Sequence, residues 1–344
     1  MRLAMFVVAA LLASPLYARD YRVGVLYWSM NIPGQVAMRH GLEAEAARVN
    51  EGVPSGGGRL LLETRVAGDG EAGIESQITQ MRELIGAGVD VLIVQPTDNA
   101  ALADPLREAN SAGIPVVAYD QYISGGELAA FLTSDNYQAG YLDGEYLASR
   151  FEDSHSIRLV LVEYPHVSST VERVNGLLDA LTEMKQSYRI LRSYEAVEPV
   201  GGRRAVAELL RDFPEPGSVD AVFTVNDGGG LSVVEGLHAA GRTEILVATV
   251  DGDPQSVGNI REGRLTVIDS AQFCGPLGAH ALLAAHALLL GKKTPRHALV
   301  PVFPITRETL ASYPGWAGPI PPAFTKPWPA KEQQWRGELR VMEP

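Results

Sequence analysis

Cysteine is nearly absent from this chain, which has Cys274 as its only cysteine among 344 residues. A single thiol cannot form an internal disulfide, and it cannot supply a cluster of thiolate metal ligands. The seven histidines offer no alternative, because no two of them are four residues apart, the spacing of a metal-binding pair on a helix. The sequence therefore predicts no metal site.

Positive charge is also scarce. Lys and Arg together number 29 against 41 Asp and Glu, which gives a formal net charge of −12 at pH 7. An acidic chain lacks the electrostatic attraction to phosphates that supplies most of the affinity for DNA. We therefore expect no nucleic acid partner.

Recognisable catalytic signatures are missing as well. The chain has no Gly-x-Ser-x-Gly elbow, and no ordered set of Ser, His and Asp can be argued. The segment GDGEAG at 68–73 matches the dinucleotide pattern G-x-G-x-x-G, but Asp69 and Glu71 would repel a pyrophosphate. We expect no cofactor and no enzymatic activity.

A long apolar run occurs only near the start of the chain. Arg2 precedes the apolar residues 3–13, and Ser14 and Pro15 come before a Leu-Tyr-Ala sequence that ends at Ala18. This order is typical of a secretory signal peptide over residues 1–18, and the run is about half of the ~20 residues that span a bilayer. We expect a mature protein that is exported to the periplasm.

The rest of the chain alternates short β-rich runs with longer helical patterns. The runs VDVLIV and IPVVAY barely alternate between apolar and polar residues, as in strands buried on both faces of a parallel sheet. In the first half the pattern predicts strands at 23–28, 60–66, 89–94 and 115–119, with helices at 35–49, 74–85 and 100–112.

The same alternation of strands and helices begins again in the second half, so the chain has more βα units than one compact sheet can accommodate. The predicted fold class is therefore α/β, with two doubly wound parallel-sheet lobes. The second half is predicted to contain strands at 157–163, 189–194, 221–225, 245–250, 265–269 and 299–305, and helices at 169–184, 205–212, 231–240, 254–262 and 278–290.

Two aspartates end apolar strands at matched positions, one in each predicted lobe. Asp120 follows IPVVAY and Asp251 follows ILVATV. Polar residues after parallel strands point into the crevice where open α/β sheets bind ligands, and carboxylates accept paired hydrogen bonds from neighbouring hydroxyls. Asn226 in NDGGG follows another strand and is a third candidate, although each of these residues could instead form a turn or a helix cap.

Several segments carry a family resemblance. The stretches VQPTDNAALADPLREANSAGIPVVAYDQ, FLTSDNYQAGYLDGEYLA, AVFTVNDGGGLSVVEGLHAAG and VDGDPQSVGNIREGRL resemble the ribose-binding class of periplasmic solute-binding proteins. The spacings R-x-x-G at 173–176 and Q-x5-G at 272–278 extend the likeness, which covers about residues 21–305. The implied fold is that of periplasmic binding proteins of type 1.

The resemblance implies two lobes joined by a three-strand hinge, with a ligand held between them. The crossings are expected near 133–135, 271–273 and 301–303. The implied first lobe is 19–134 plus 273–302, and the second is 135–272 plus 303–312. Residues 313–344 contain three of the four Trp and seven of the 22 Pro, and are expected to pack on the surface as a tail or to dock another protein.

The resemblance also implies roles for individual residues. Asp120 and Asp251 match the carboxylates that grip sugar hydroxyls, and Arg173 matches an arginine that reaches a ligand oxygen. Asn226 and Gln272 match the amides that complete the polar ring. A further amide, Gln95, stands where the ribose proteins usually have Asn.

Other positions depart from the ribose pattern. Gln121 replaces the usual Arg after the first aspartate, and Gly34 and Gln35 replace two Phe. Trp28 ends the first predicted strand and Tyr122 lies just beyond another. Both are expected to supply the lost aromatic stacking, although Trp28 could instead be a core residue. The pocket is therefore not expected to be a ribose pocket.

These features predict a non-enzymatic protein that binds a small polyhydroxylated solute by hinge closure. The closed form is expected to be presented to the membrane permease of an ABC importer. The alternative is a periplasmic subunit that regulates a membrane sensor histidine kinase.

Overall fold

The computed structural model describes residues 19–54 and 57–342. The predicted signal peptide, residues 1–18, lies outside the described residues. Within them the chain folds into two parallel sheets that are covered by helices on both faces, together with a small hairpin near the C-terminus. The predicted α/β fold with two doubly wound lobes is confirmed.

The first lobe is built around a seven-stranded sheet in the order β15-β11-β5-β4-β3-β1-β2. All neighbouring strands are parallel except β15, which runs antiparallel to β11. The bounds of this lobe are β1 (Tyr21–Tyr27), α1 (Pro33–Glu51), β2 (Leu60–Val66), α2 (Gly70–Gly86), β3 (Val91–Val94), α3 (Ala103–Ser111), β4 (Val116–Tyr119), β5 (Ala130–Ser134), α9 (Cys274–Leu289), β11 (His297–Val300) and β15 (Arg340–Met342).

The second lobe is built around a six-stranded sheet in the order β12-β10-β9-β8-β6-β7. Its last strand, β12, is antiparallel to β10. The bounds are α4 (Asn136–Ala148), β6 (Ile157–Glu163), α5 (Ser168–Glu183), β7 (Tyr188–Glu195), α6 (Pro199–Asp212), β8 (Ala221–Thr224), α7 (Asp227–Ala239), β9 (Leu246–Asp251), α8 (Pro254–Glu262), β10 (Thr266–Ala271) and β12 (Phe303–Thr306).

The two sheets have the same order of parallel strands. The order β2-β1-β3-β4-β5 in the first lobe is matched by β7-β6-β8-β9-β10 in the second. Strands β4 and β9 therefore hold equivalent places, and each is followed or ended by one of the two aspartates that the sequence singled out.

Alternate residues of the central strands contact helices on opposite faces. In β3, Val91 and Ile93 belong to the core shared with α1 and α9, while Leu92 and Val94 pack with α2 and α3. All four residues are fully buried. This explains why VDVLIV shows no alternation of apolar and polar residues, since a strand covered on both faces has no polar side.

The chain passes directly between the two sheets at three places, and a fourth passage, through the C-terminal tail, returns it to the first sheet. It leaves β5 for α4 at Asp135, leaves β10 for α9 at residues 272–273, and leaves β11 for β12 at residues 301–302. The single strand predicted over 299–305 is therefore wrong. It is two strands in different sheets, and Pro301, which has no N–H to donate to a ladder, lies between them.

The C-terminal tail, residues 313–344, is attached to both lobes along its described part. The 3-10 helix η1 (Leu310–Ser312) precedes it, and β13 (Phe324–Thr325) pairs with β14 (Gln334–Trp335) as the small hairpin. The aromatic rings of Tyr313, Phe324 and Trp335 cluster around Phe303 of the second sheet. Beyond the hairpin, β15 completes the edge of the first sheet.

Candidate functional site

Both lobes line one cavity at the carboxyl ends of their parallel strands. Its empty volume is about 390 Å³, part of which is open to solvent. Seven of the nine residues predicted from the sequence line it, namely Trp28, Asp120, Gln121, Arg173, Asn226, Asp251 and Gln272.

Asp120 supplies the carboxylate of the first lobe. It follows β4 directly and has a φ of 66°, a left-handed conformation that Asp tolerates better than most residues. Its Oδ2 accepts a hydrogen bond from Gln95 Nε2 at 2.9 Å. Burial raises the pKa of Asp120 to about 6, although the hydrogen bond from Gln95 and the charge of Arg173 act in the opposite direction.

Gln95 contributes from behind the cavity rather than from its wall. Its side chain is fully buried, and Oε1 accepts a hydrogen bond from the backbone N–H of Trp28 at 3.3 Å while Nε2 donates to Asp120. Gln95 therefore couples the loop after β1 to the loop after β4.

Asp251 supplies the carboxylate of the second lobe. As the last residue of β9, it has a φ of 130°, which is strained for a residue with a side chain. Its Oδ1 lies 3.1 Å from Arg173 Nη1 and accepts a hydrogen bond from Gln272 Nε2 at 2.5 Å. Burial raises the pKa of Asp251, and the nearby guanidinium and amide oppose that rise.

Arg173 is held rigidly on α5. Besides Asp251, Nη1 donates to the carbonyl oxygen of Val225 at 2.7 Å, and Nε donates to Asn136 Oδ1 at 3.0 Å. The side chain is only 3% exposed. Helix α5 lies close enough to α4 that a Cβ at Gly140 would be 1.7 Å from the carbonyl oxygen of Arg173, so this contact requires glycine.

The amides link the site to the crossings and to a helix end. Gln272, in the second crossing, accepts a hydrogen bond from Ser134 Oγ of the first lobe at 2.7 Å while it donates to Asp251. Asn226 caps α7, because its Oδ1 accepts from the N–H of Gly229 at 3.2 Å and its Nδ2 donates to Val197 O at 2.9 Å. Some of the hydrogen-bonding capacity of the Asn226 amide is therefore used within the protein.

The two lobes touch across the mouth of the cavity. Gln121 Oε1 accepts a hydrogen bond from the N–H of Ser169 at 3.3 Å. Trp28, from the first lobe, packs against Val167 and Val197 of the second and is 5% exposed. The arrangement is a closed one, with the indole of Trp28 between the lobes.

Tyr122 does not line this cavity, so the expectation that it faces the crevice is corrected. Its ring is 40% exposed and meets Phe131 edge-on at 5.3 Å, beside a separate surface hollow. The ring packs instead on Phe131, which belongs to the core on the α2 and α3 face of the first sheet.

Sequence reasoning missed several wall residues. Gln35 and Met38 on α1, and Ser169 and Thr170 on α5, line the cavity, as do Ile32, Gly34, Val167 and Val197. Residues three and four positions before Arg173 share its helix face, so Ser169 and Thr170 could have been found from Arg173 alone. Gln35 and Met38 are likewise three positions apart and share a face of α1.

The chemistry of the wall is that of recognition. Carboxylate and amide oxygens accept hydrogen bonds, amide and guanidinium N–H groups donate them, and Trp28 offers an apolar face. Among residues 19–54 and 57–342, no three His, Cys, Asp or Glu side chains are grouped so that they could hold a metal ion.

The C-terminal tail contacts the protein at or beside each crossing. Arg340 forms an ion pair with Asp135 in the first crossing, and Trp335 Nε1 donates to Val302 O in the third at 2.9 Å. Beside the second crossing, Trp316 Nε1 donates to Asp251 O at 2.6 Å. The tail therefore spans the back of the hinge region.

Comparison with known families identifies this arrangement. The profile of the family described as "Periplasmic binding protein domain" matches residues 23–293, most of the chain. The chain belongs to the periplasmic binding protein family. The ribose-binding, type 1 branch predicted from the sequence is confirmed, and members of this family bind solutes without enzymatic turnover.

Several curated relatives of this periplasmic binding protein are named for the sugars that they bind. The chain is 25% identical over 286 residues to "Ribose import binding protein RbsB" of Bacillus subtilis, covering 83% of this chain and 87% of the relative. It is 28% identical over 237 residues to "D-ribose/D-allose-binding protein" of Pseudomonas aeruginosa, covering 66% of this chain and 71% of the relative.

Solved structures share the fold of this periplasmic binding protein. A galactofuranose binding protein superposes with a TM-score of 0.75 at 19% identity, covering 85% of this chain and 96% of that one. A solute binding protein from Bacillus halodurans with bound myo-inositol gives 0.74 at 22% identity, covering 86% and 97%. Across the described residues, no helix combines the length and the apolar character needed to cross a membrane.

Proposed function

We propose that this periplasmic binding protein captures a small polyhydroxylated solute, a sugar or a close relative, by closure of its two lobes. The observation that carries the proposal is the shared cavity, to which each lobe contributes one buried carboxylate, Asp120 and Asp251. A site of this kind is complete only when the lobes are together, so binding and closure are linked.

The wall suits a ring that carries several hydroxyl groups. Each hydroxyl both donates and accepts, so it satisfies carboxylates and amides without leaving a buried polar group unpaired, which costs roughly 1–3 kcal/mol. The indole of Trp28 covers the C–H face of such a ring. Micromolar affinity corresponds to about 8 kcal/mol, which a few such contacts can supply.

The same proposal includes export and delivery. Residues 1–18 have the order of a signal peptide, which would place the mature chain in the periplasm. Relatives named as ribose import binding proteins support presentation of the closed form to the permease of an ABC importer.

A second candidate is regulation of a membrane sensor histidine kinase. It is supported by the C-terminal tail, which lies beyond the family match and contacts all three crossing regions through Trp316, Trp335 and Arg340. Hinge motion would move this surface, so a sensor that reads it would detect ligand. An adjacent kinase gene would favour sensing, whereas adjacent permease and ATPase genes would favour import.

The proposed ligand class is tested by calorimetric titration of the mature protein with a panel of sugars, polyols, amino acids and peptides. We expect heat from at least one polyhydroxylated compound, and at least 100-fold weaker binding in Asp251→Asn. Asp253→Asn is the matched control, because Asp253 is also buried but lies outside the cavity wall. Tight binding of an amino acid or a peptide, with no heat from any polyol, would overturn the proposal.

A further inference from the structure

The charges that line the cavity do not balance. The ionisable residues in its described wall are Asp120, Arg173 and Asp251, two carboxylates against one guanidinium. All three are at least 95% buried, so their charges are poorly screened by water. In the closed site these charges face the ligand rather than water. A ligand that brings a positive charge would therefore offset the extra carboxylate.

The single guanidinium is committed to the second lobe. Arg173 Nη1 contacts Asp251 Oδ1 at 3.1 Å and Val225 O at 2.7 Å, and Nε contacts Asn136 Oδ1 at 3.0 Å. Asp251 also receives the Gln272 amide. The charged groups of the second lobe, Arg173 and Asp251, are therefore already paired with each other when no ligand is bound.

Asp120, by contrast, has no cationic partner. Within the described chain no Lys, Arg or His nitrogen lies within 4.0 Å of its carboxylate, and its hydrogen bond comes from the neutral amide of Gln95. The residue that follows it is Gln121, whose Oε1 is itself an acceptor for Ser169 N. A buried carboxylate paired only with neutral amides is costly unless a cation joins it.

We propose that the ligand carries a protonated amine beside its hydroxyl groups, as an amino sugar or an aminocyclitol does, and that this ammonium group pairs with Asp120. The inference rests on the proposed function and narrows its ligand class. An ammonium group donates three hydrogen bonds and brings the missing positive charge, so the closed site becomes electrically neutral.

Two further wall groups fit an amine. Ser169 Oγ is buried at the wall, and among the described residues it has no hydrogen-bond partner, so a ligand donor can satisfy it. Ser169 lies next to Gln121, to which it donates from its backbone. Trp28 presents an aromatic face in the same cavity, and such faces attract cations as well as C–H groups.

The test compares amines with their neutral parents. Glucosamine, galactosamine, mannosamine and an aminoinositol are titrated calorimetrically at pH 7.5 beside glucose, galactose, mannose and myo-inositol. We expect at least one amine to bind about 10-fold or more tightly than its parent. Asp120→Asn should reduce that preference to less than about 3-fold.

A second variant supplies the missing cation from the protein. Gln121→Arg should abolish the preference for the amine, because the arginine then occupies the place of the ammonium group. Gln255→Arg is the matched control, since Gln255 is exposed on α8 outside the cavity and should leave the preference unchanged. Thermal unfolding of each variant confirms that it is folded.

The outcomes separate this inference from the function on which it rests. If neutral sugars bind as tightly as their amines or more tightly, the inference is overturned while the sugar-binding proposal stands. If neither series binds and an amino acid or peptide does, both are overturned. An amine preference that survives Asp120→Asn would also overturn the inference.

Discussion

The indole nitrogen of Trp316, in the C-terminal tail, donates a hydrogen bond to the carbonyl oxygen of Asp251 at 2.6 Å. The carboxylate of the same Asp251 lines the cavity between the lobes, and its backbone is held at a φ of 130°. Trp316 also accepts a hydrogen bond at its own carbonyl from the N–H of Gly275 in the first lobe, at 3.2 Å. The tail thus connects α9 of one lobe to the ligand-site strand of the other.

Removal of the Trp316 donor should weaken ligand binding from outside the cavity. Trp316→Phe keeps a ring but loses the hydrogen bond to Asp251 O, worth about 1 kcal/mol, so the strained peptide is less firmly positioned. We expect affinity for the tightest ligand of the sugar panel to fall about 5-fold in calorimetry. Trp335→Phe, which loses a similar bond to Val302 O away from the cavity, is the control and should keep its affinity.

Gly140 should be intolerant of a side chain because it sets the distance between α4 and α5. In Gly140→Ala the new Cβ would stand 1.7 Å from the carbonyl oxygen of Arg173, so the helices must move apart. We expect a loss of more than about 2 kcal/mol in urea unfolding and weaker binding through Arg173. Gly258→Ala in α8, where the Cβ meets nothing within 4 Å, should instead stabilise the protein by up to about 1 kcal/mol.

The buried ion pair that anchors the tail should be sensitive to loss of one partner. Lys326 Nζ lies 2.5 Å from Glu145 Oε2 on α4, and both side chains are almost fully buried. Glu145→Gln leaves the Lys326 charge unpaired and should cost about 3 kcal/mol in unfolding free energy. Glu183→Gln, which breaks the exposed pair with Lys331, should have a much smaller effect on stability.

A double variant makes that prediction stricter. Glu145→Gln combined with Lys326→Met removes both charges, so much of the lost stability should return. An additive double variant would show that the two residues do not act as a pair.

Asp120 should make the protein less stable as the pH rises. Burial raises its pKa to about 6 from an ordinary value of 3.8, so between these values the folded chain binds more protons than the unfolded chain. Stability contributed by the neutral form is therefore lost from about pH 4 to pH 6. Asp120→Asn should be more stable than the wild type by up to about 3 kcal/mol at pH 7.5, and the difference should vanish near pH 4.

Asp220 is the matched control for this pH series, because the pH dependence of its contribution to stability has the opposite sign. Burial alone would raise the pKa of Asp220, but hydrogen bonds from Arg158 and His155 outweigh it and lower the pKa to about 2. Asp220→Asn should therefore lose stability at pH 7.5, and that loss should shrink as the pH falls below about 4. A pH-independent difference for Asp120→Asn, measured by urea unfolding, would contradict its assigned pKa.

The fold was largely predictable because burial on both faces leaves a clear pattern. Continuous apolar strands such as β3 and strong turn signals between them indicated parallel sheets. The helix α4 was not predicted, since ten of its 13 residues are buried and it has no polar face to mark a period. Its buried Asp143 and Glu145 read as surface residues until their partners, Ser270 Oγ and Lys326, are known.

The site was predictable only as far as strand ends identify it. Asp120, Asn226 and Asp251 follow strands, and that position alone directs them to the crevice. The environment of these side chains was not predictable, because it depends on contacts between distant segments, such as the hydrogen bond between Ser134 and Gln272. The role of Trp316 was equally hidden, since no period or motif in the tail relates it to Asp251.

The first sheet is assembled from distant parts of the chain: β11 joins it from residues 297–300, after every strand of the second sheet except β12, and β15 joins it from residues 340–342. This sheet is therefore complete only after residues 340–342 have been synthesised. Strand pairings between such remote segments form slowly. If residues 1–18 direct export of an unfolded chain, as proposed, this late completion would slow folding before export.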